Sequence, residues 1–147
     1  MGTTACPMTP KEEFDRHLAL LRSVKTIAVV GMSPDARRPS NEVGLYLREK
    51  GYTIIPIHPT AEKIGELKVY PSLKSAAEAC GTIDLVDLFV AGERTRPVIE
   101  EALALHIKNI WFQPGAESPE TEAWAKSQGL EVISGACTMA VLERSGA

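Results

Sequence analysis

A chain of 147 residues, 44% hydrophobic and 24% charged, has the make-up of one ordinary globular domain with a sizeable core. Its net charge of −3 argues against a general nucleic-acid or anionic-membrane surface. No run approaches the ~20 apolar residues that span a bilayer, and the first residues lack the basic-then-apolar pattern of a secretion signal. Cys6, Cys80 and Cys137 are too few and too scattered for a disulfide framework or a zinc site, which suits a reducing cytoplasm.

Thr9-Pro10-Lys11-Glu12 reads as a capping box with proline at the first helical position. The helix it opens carries Phe14, His17, Leu18 and Leu21 on one face, so the segment 1–24 is expected to pack on the body of a single domain spanning 1–147. Thr26–Val30 is a short, continuously apolar strand of the kind found inside a parallel sheet. Ser40 is placed to cap the next helix, with Val43, Leu45 and Leu47 inward and Gly51 as its stop.

Tyr52–Ile57 reads as a second strand whose ladder ends at Pro56. Val69-Tyr70 is a third, very short one. Ser72 caps an Ala-rich helix ending at Gly81, and Ile83–Val90 is a fourth strand. Thr95 opens a helix through His106, Asn109–Gln113 is a fifth strand, Ser118-Pro119 starts a helix stopped by Gly129, and Leu130–Ser134 is a sixth strand. Such alternation with short turns predicts an α/β fold with a doubly wound, mostly parallel sheet.

Ligands of these sheets bind beyond the carboxyl ends of the strands. The loop after the first strand reads Gly31-Met32-Ser33-Pro34-Asp35-Ala36-Arg37-Arg38-Pro39-Ser40 in place of G-x-G-x-x-G. Gly31 frees the backbone to leave the strand. The amides of Met32 and Ser33 and the start of the Ser40 helix can face an anion. Pro34 and Pro39 stiffen the loop. Arg37 and Arg38 either grip phosphate oxygens or form a solvated turn with Asp35 as counter-charge. After the second strand stands Ile57-His58-Pro59-Thr60, with no carboxylate for the ribose of NAD.

GMSPDARRPS, IIPIHP, the Gly65…Val69-Tyr70-Pro71-Ser72-Leu73 connector, VDLF and WFQPG occur in this order. Together, from about Thr26 to Cys137, they resemble the small stand-alone CoA-binding domain proteins, relatives of the CoA-binding domain of the succinyl-CoA synthetase alpha subunit. The resemblance implies a Rossmann-like domain that holds coenzyme A, or an acyl-CoA, by its phosphorylated ADP portion. It implies Gly31 and Ser33 in the phosphate loop, Arg38, Pro39 and Ser40 as its basic residue, proline and helix-starting serine, and His58-Pro59 near the nucleotide. Phe89 matches the aromatic residue closing the fourth strand, and Gln113 the glutamine after the tryptophan. Two positions depart from the family pattern: Val90 and Ala136 stand where an arginine is common.

Cys137 has no histidine placed beside it by sequence and reads as a small buried thiol. Trp111 and Trp124 read as space-filling, and His17 and His106 as packing or surface residues. Asp84 and Asp87, in an apolar strand, need partners; loop amides or a subunit contact would serve, and their spacing puts them on opposite faces. No catalytic group or metal ligand set emerges. The expectation is a binding protein, sensor or partner subunit for a small nucleotide-type ligand. An NADP-dependent oxidoreductase and a CoA ligase or transferase component are the alternatives, and a homodimer is compatible with the sequence.

Overall fold

The computed structural model describes residues 8–146, so Cys6 and the start of the segment 1–24 lie outside the described residues. Helix α1 (Pro10–Ser23) begins with the reciprocal capping box of Thr9 and Glu12. It leads into β1 (Thr26–Val30), α2 (Pro39–Glu49), β2 (Thr53–Ile57) and a small antiparallel hairpin, β3 (Lys63–Ile64) with β4 (Leu67–Lys68). There follow α3 (Leu73–Cys80), β5 (Leu85–Leu88), α4 (Gly92–Ala104), β6 (Asn109–Phe112), α5 (Pro119–Ser127), β7 (Glu131–Ile133) and α6 (Thr138–Arg144).

Five parallel strands form the sheet in the order β2-β1-β5-β6-β7. Tyr70 adds one parallel bridge to Ile57 outside β2. Counting that bridge as a vestigial third strand gives the 3-2-1-4-5-6 order of dinucleotide-binding sheets, whose direction reverses between β1 and β5. The fold is Rossmann-like. The expected third strand at Val69-Tyr70 is reduced to this contact.

Both faces are covered, so the buried strand positions are apolar except at Asp87 of β5. Ile27 and Val29 pack with Leu18, Leu21, Val43, Leu47, Val141 and Leu142 from α1, α2 and α6. Ala28 and Val30 pack on the other side with Leu73, Ala76, Ile99, Ala102 and Ala125 from α3, α4 and α5. Each fully buried leucine or isoleucine stabilises the sandwich by about 1.5–3 kcal/mol.

Four element readings are corrected. Pro56 does not end the second strand, because β2 is the outermost full strand. The Pro56 carbonyl accepts from Tyr70 on the outer side, so its missing N–H also points away from β1. Leu45 is 39% exposed; the inner side of α2 is Ser40, Val43, Gly44 and Leu47. Helix α4 opens at Gly92, three residues before Thr95. There it meets the Glu117 carbonyl so closely that a Cβ on Gly92 would lie 2.7 Å from that oxygen. Finally, α6 has no counterpart among the sequence-based elements.

Candidate functional site

Two clefts open at the carboxyl ends of the strands, and Gly31 borders both. Its φ of +88° lies in the region glycine adopts without a Cβ penalty. Its amide donates to the Ile57 carbonyl at 2.9 Å, tying the exit of β1 to β2. On the other flank a Cβ would come within 3.1 Å of Val90 Cγ1 and 3.3 Å of the Phe89 carbonyl carbon. Only a glycine lets the chain pass between the ends of β2 and β5 without displacing a neighbour.

The larger cleft holds about 570 Å³. Ser33, Arg38, Pro39 and Ser40 line one side, and Phe89, Gln113 and Cys137 the other. The loop that supplies the first side is internally bonded. The Ser33 amide donates to Ser40 Oγ at 2.9 Å, the Asp35 amide to Ser33 Oγ at 3.0 Å, and Asn41 Nδ2 to the Ser33 carbonyl at 2.8 Å. The expected free amide of Ser33 is therefore engaged. Ser40 is not the helix cap either: Arg38 occupies the N-cap position without a side-chain cap bond, Pro39 follows, and the Ser40 hydroxyl closes the loop. Asn41, which sequence reasoning passed over, fastens the same turn; one side-chain amide in a helix gives no signal of its own.

The two arginines part company. Arg37 donates from Nε and Nη2 to the Asp35 carboxylate at 3.1 and 3.0 Å, and its side chain is 90% exposed. These bonds hold the Asp35 carboxyl below its usual pKa. This is the solvated-turn alternative, and Arg37 is absent from the residues lining either cleft. Arg38 lines the larger one, at the positive end of α2, where Pro39 carries no N–H and the Asn41 amide already donates to the Arg38 carbonyl at 3.1 Å. The Met32 side chain is fully buried against Gly44, beneath the loop.

The floor of this cleft is a buried polar network. Gln113, 1% exposed, donates from Nε2 to Asp87 Oδ2 at 2.9 Å and to Thr138 Oγ1 at 2.8 Å. The Thr138 hydroxyl in turn approaches Asp87 Oδ2 at 3.4 Å. Asp87 thus finds the side chains of Gln113, just after β6, and of Thr138 in α6, not loop amides. Burial pushes its carboxyl up to about 7, while the bonds from Gln113 and Thr138 pull the other way. Asp87 Oδ1 and Gln113 Oε1 have no hydrogen-bond partner among the described residues. Asp84 stands just before β5, where Oδ2 accepts from the Lys25 and Thr26 amides at 3.0 Å each.

Cys137 is half-buried on the wall and not sealed in the core. It also borders a cleft of about 270 Å³ between α1 and α6 that His17 reaches. His17 rests edge-on against Trp111, ring centroids 5.5 Å apart, and burial lowers its pKa. His58 and Pro59 line the smaller of the two clefts at Gly31, which holds about 160 Å³ between the ends of β2 and β5. Met32 and Arg37 line neither pocket, and the other sequence-predicted residues divide between two pockets that share Gly31.

Sheet order, glycine exit and rigid loop together define a Rossmann-like domain with its candidate site at the switch point of the strands. A family model described as a CoA binding domain matches residues 25–143, and the chain belongs to that family. It is 36% identical over 118 residues to the uncharacterized protein YneT of Bacillus subtilis, covering 80% of this chain and 85% of that one. A solved structure of a hypothetical protein from Pyrococcus horikoshii superimposes with a TM-score of 0.85 at 32% identity, with 100% of both chains covered. The ADP-forming acetate–CoA ligase II of Archaeoglobus fulgidus is 28% identical over 121 residues. That match covers 79% of this chain but 18% of the ligase, so the chain is related to one portion of a much larger enzyme.

Proposed function

We propose that the chain binds coenzyme A or an acyl-CoA through its phosphorylated ADP portion, acting as a binding protein, sensor or partner subunit. The observation that carries this reading is the loop between β1 and α2. It is bonded into one shape, borders both clefts at Gly31, and brings Arg38 and the start of α2 to a cavity of about 570 Å³. A preformed loop loses little entropy on binding, and a guanidinium at the positive end of a helix matches phosphate oxygens. Gly31 accords with the ligand class, since a bare backbone stands where the two clefts meet and a Cβ there would crowd Val90 and Phe89. Ser33, Arg38, Pro39 and Ser40 would hold the phosphates, His58 and Pro59 the nucleoside, and Phe89 and Gln113 the opposite wall. Met32 contributes through the core beneath the loop. A partner subunit completing a ligase-type enzyme accords with the partial match to the acetate–CoA ligase.

Titration calorimetry with CoA, dephospho-CoA and NADPH tests the reading. CoA is expected to bind most tightly. Arg38→Ala should weaken it by about 1.5–3 kcal/mol, the range of a charge-assisted bond, while Arg37→Ala, which removes a solvent-facing pair with Asp35, should leave affinity nearly unchanged. Tighter binding of NADPH, or an Arg38→Ala variant that binds like the parent, overturns it.

A further inference from the structure

The cavities at the carboxyl ends of the strands form a chain. Gly31 borders the smaller and the larger cleft, and Cys137 borders the larger one and the cleft of about 270 Å³ between α1 and α6. The last two therefore meet at one half-buried thiol. The loop there is pinned, since Trp111 Nε1 donates to the Ala136 carbonyl at 2.8 Å.

The walls of the α1–α6 cleft are unlike the phosphate loop. Small side chains at Ala136 and Ala140 leave the space open, and Phe14 and Val141 make it apolar. Glu13 and Arg144 are exposed at its rim. The Arg144 guanidinium lies over the Phe14 ring, 4.6 Å from its centroid, and closes the far end. From Cys137 to Arg144 the chain rises about 10 Å, the length of an extended acyl chain of about eight carbons. At the inner end stands His17, 8% exposed. Its ring rests edge-on against Trp111 and has no hydrogen-bond partner among the described residues. Burial favours the neutral imidazole, which carries one N–H donor. A buried donor is stabilised by an acceptor, so the cleft suits an apolar chain headed by one oxygen.

We propose that the α1–α6 cleft is an acyl pocket, which makes the ligand an acyl-CoA with an apolar chain of up to about eight carbons. The arm of the ligand runs through the larger cleft, the thioester passes Cys137, His17 donates to the thioester oxygen, and the chain lies between Phe14 and Ala140. The proposal rests on the CoA reading above and adds the class of cargo to it. Free CoA ends in a thiol, a weak acceptor for the His17 N–H, and places nothing against Phe14 and Val141. Longer chains pass the Arg144–Phe14 stack into water and gain nothing further.

The test is calorimetry of the parent protein with CoA, its acetyl, hexanoyl, octanoyl and dodecanoyl thioesters, and S-hexyl-CoA. Affinity is expected to rise about twofold or more per methylene, the effect of partial burial, and to level off beyond octanoyl. S-hexyl-CoA, a thioether without the carbonyl oxygen, should bind several-fold more weakly than hexanoyl-CoA. Ala140→Phe, at an exposed position of α6, fills the cleft; with a thermal melt to check folding, it should keep the affinity for CoA and lose the gain from the hexanoyl chain. The thioester series reads the pocket in the unaltered protein even if the variant does not fold. Equal affinity of the parent for CoA and every thioester, or the full chain-length gain in a folded Ala140→Phe, overturns the acyl pocket and leaves the CoA reading standing. S-hexyl-CoA binding as tightly as hexanoyl-CoA overturns the role of His17. Failure of CoA and all the thioesters to bind overturns the CoA reading as well.

Discussion

At Gly31 two demands coincide. The backbone takes φ +88°, and the missing Cβ leaves room for the end of β5 at 3.1–3.3 Å. Gly31→Ala meets both penalties, a left-handed backbone and a close contact with main chain at Phe89, which cannot swing aside as a side-chain tip can. It is expected to lower unfolding stability by about 1–2 kcal/mol and to weaken CoA binding further than the fold loss explains. Chemical denaturation and calorimetry on the same sample check the two effects. This residue was legible in the sequence, because a glycine ending the first strand of an alternating pattern has few other uses. The Arg37-Arg38 pair was legible as a pair only. What separates them is Asp35, whose carboxylate takes both the Arg37 amide, at 2.9 Å, and its guanidinium. An aspartate two residues ahead is a turn signal, but which of two adjacent arginines then faces the cleft depends on the twist of the whole loop.

Elements with a strong local signature came through, and those defined by tertiary contact did not. Helices α1, α3 and α5 start at Thr9, Ser72 and Ser118, each of which accepts the capping bond its position implies. Helix α4 begins under Ala91 with no side-chain cap, at a glycine chosen by the approach of Glu117. Helix α6 is 7 residues long, without a side-chain cap; such a helix is marginal alone and persists through its burial of Val141 and Leu142 against the sheet. The docking of α1 has a polar anchor as well. Arg16 pairs with Glu131 and donates from Nη2 to the Val132 carbonyl at 3.0 Å, joining the helix to β7. Arg16→Ala should cost about 1 kcal/mol in a urea melt. Lys11→Ala, which breaks an exposed pair with Asp15 within the helix, should cost a few tenths at most. Equal effects of the two would show that the anchor to β7 adds nothing to docking.

Across the whole molecule the sheet separates two cores, and on one face it carries a carboxylate in the most protected place available. Asp87 lies in β5 opposite Val29 and Trp111 of the flanking strands and is fully buried. The sequence showed that such a residue needs partners but not which, because Gln113 and Thr138 lie 26 and 51 residues away. With its folded pKa pushed up to about 7, the native state holds a proton that the unfolded chain releases near the ordinary carboxylate range. Between about pH 4 and 7 the native state therefore binds more protons, and stability falls as pH rises through that window. The contribution is fully present below it and lost above it. A proton also gives Asp87 the donor that its two acceptor oxygens lack. His17 acts oppositely: its lowered pKa favours folding at high pH, and that contribution is lost as the medium becomes acidic. Asp87→Asn removes the titration while keeping shape and supplying N–H donors. It should raise stability at pH 8 by about 1–3 kcal/mol, the scale for an imperfectly satisfied buried polar group, change little near pH 4, and leave His17 to govern the remaining slope. Denaturation midpoints from pH 4 to 8 for the two proteins decide it: parallel curves would mean that Asp87 is ionised throughout and that its network tolerates the charge. Because Gln113 joins this network to the wall of the larger cleft, the same variant should also flatten any dependence of CoA affinity on pH in that range.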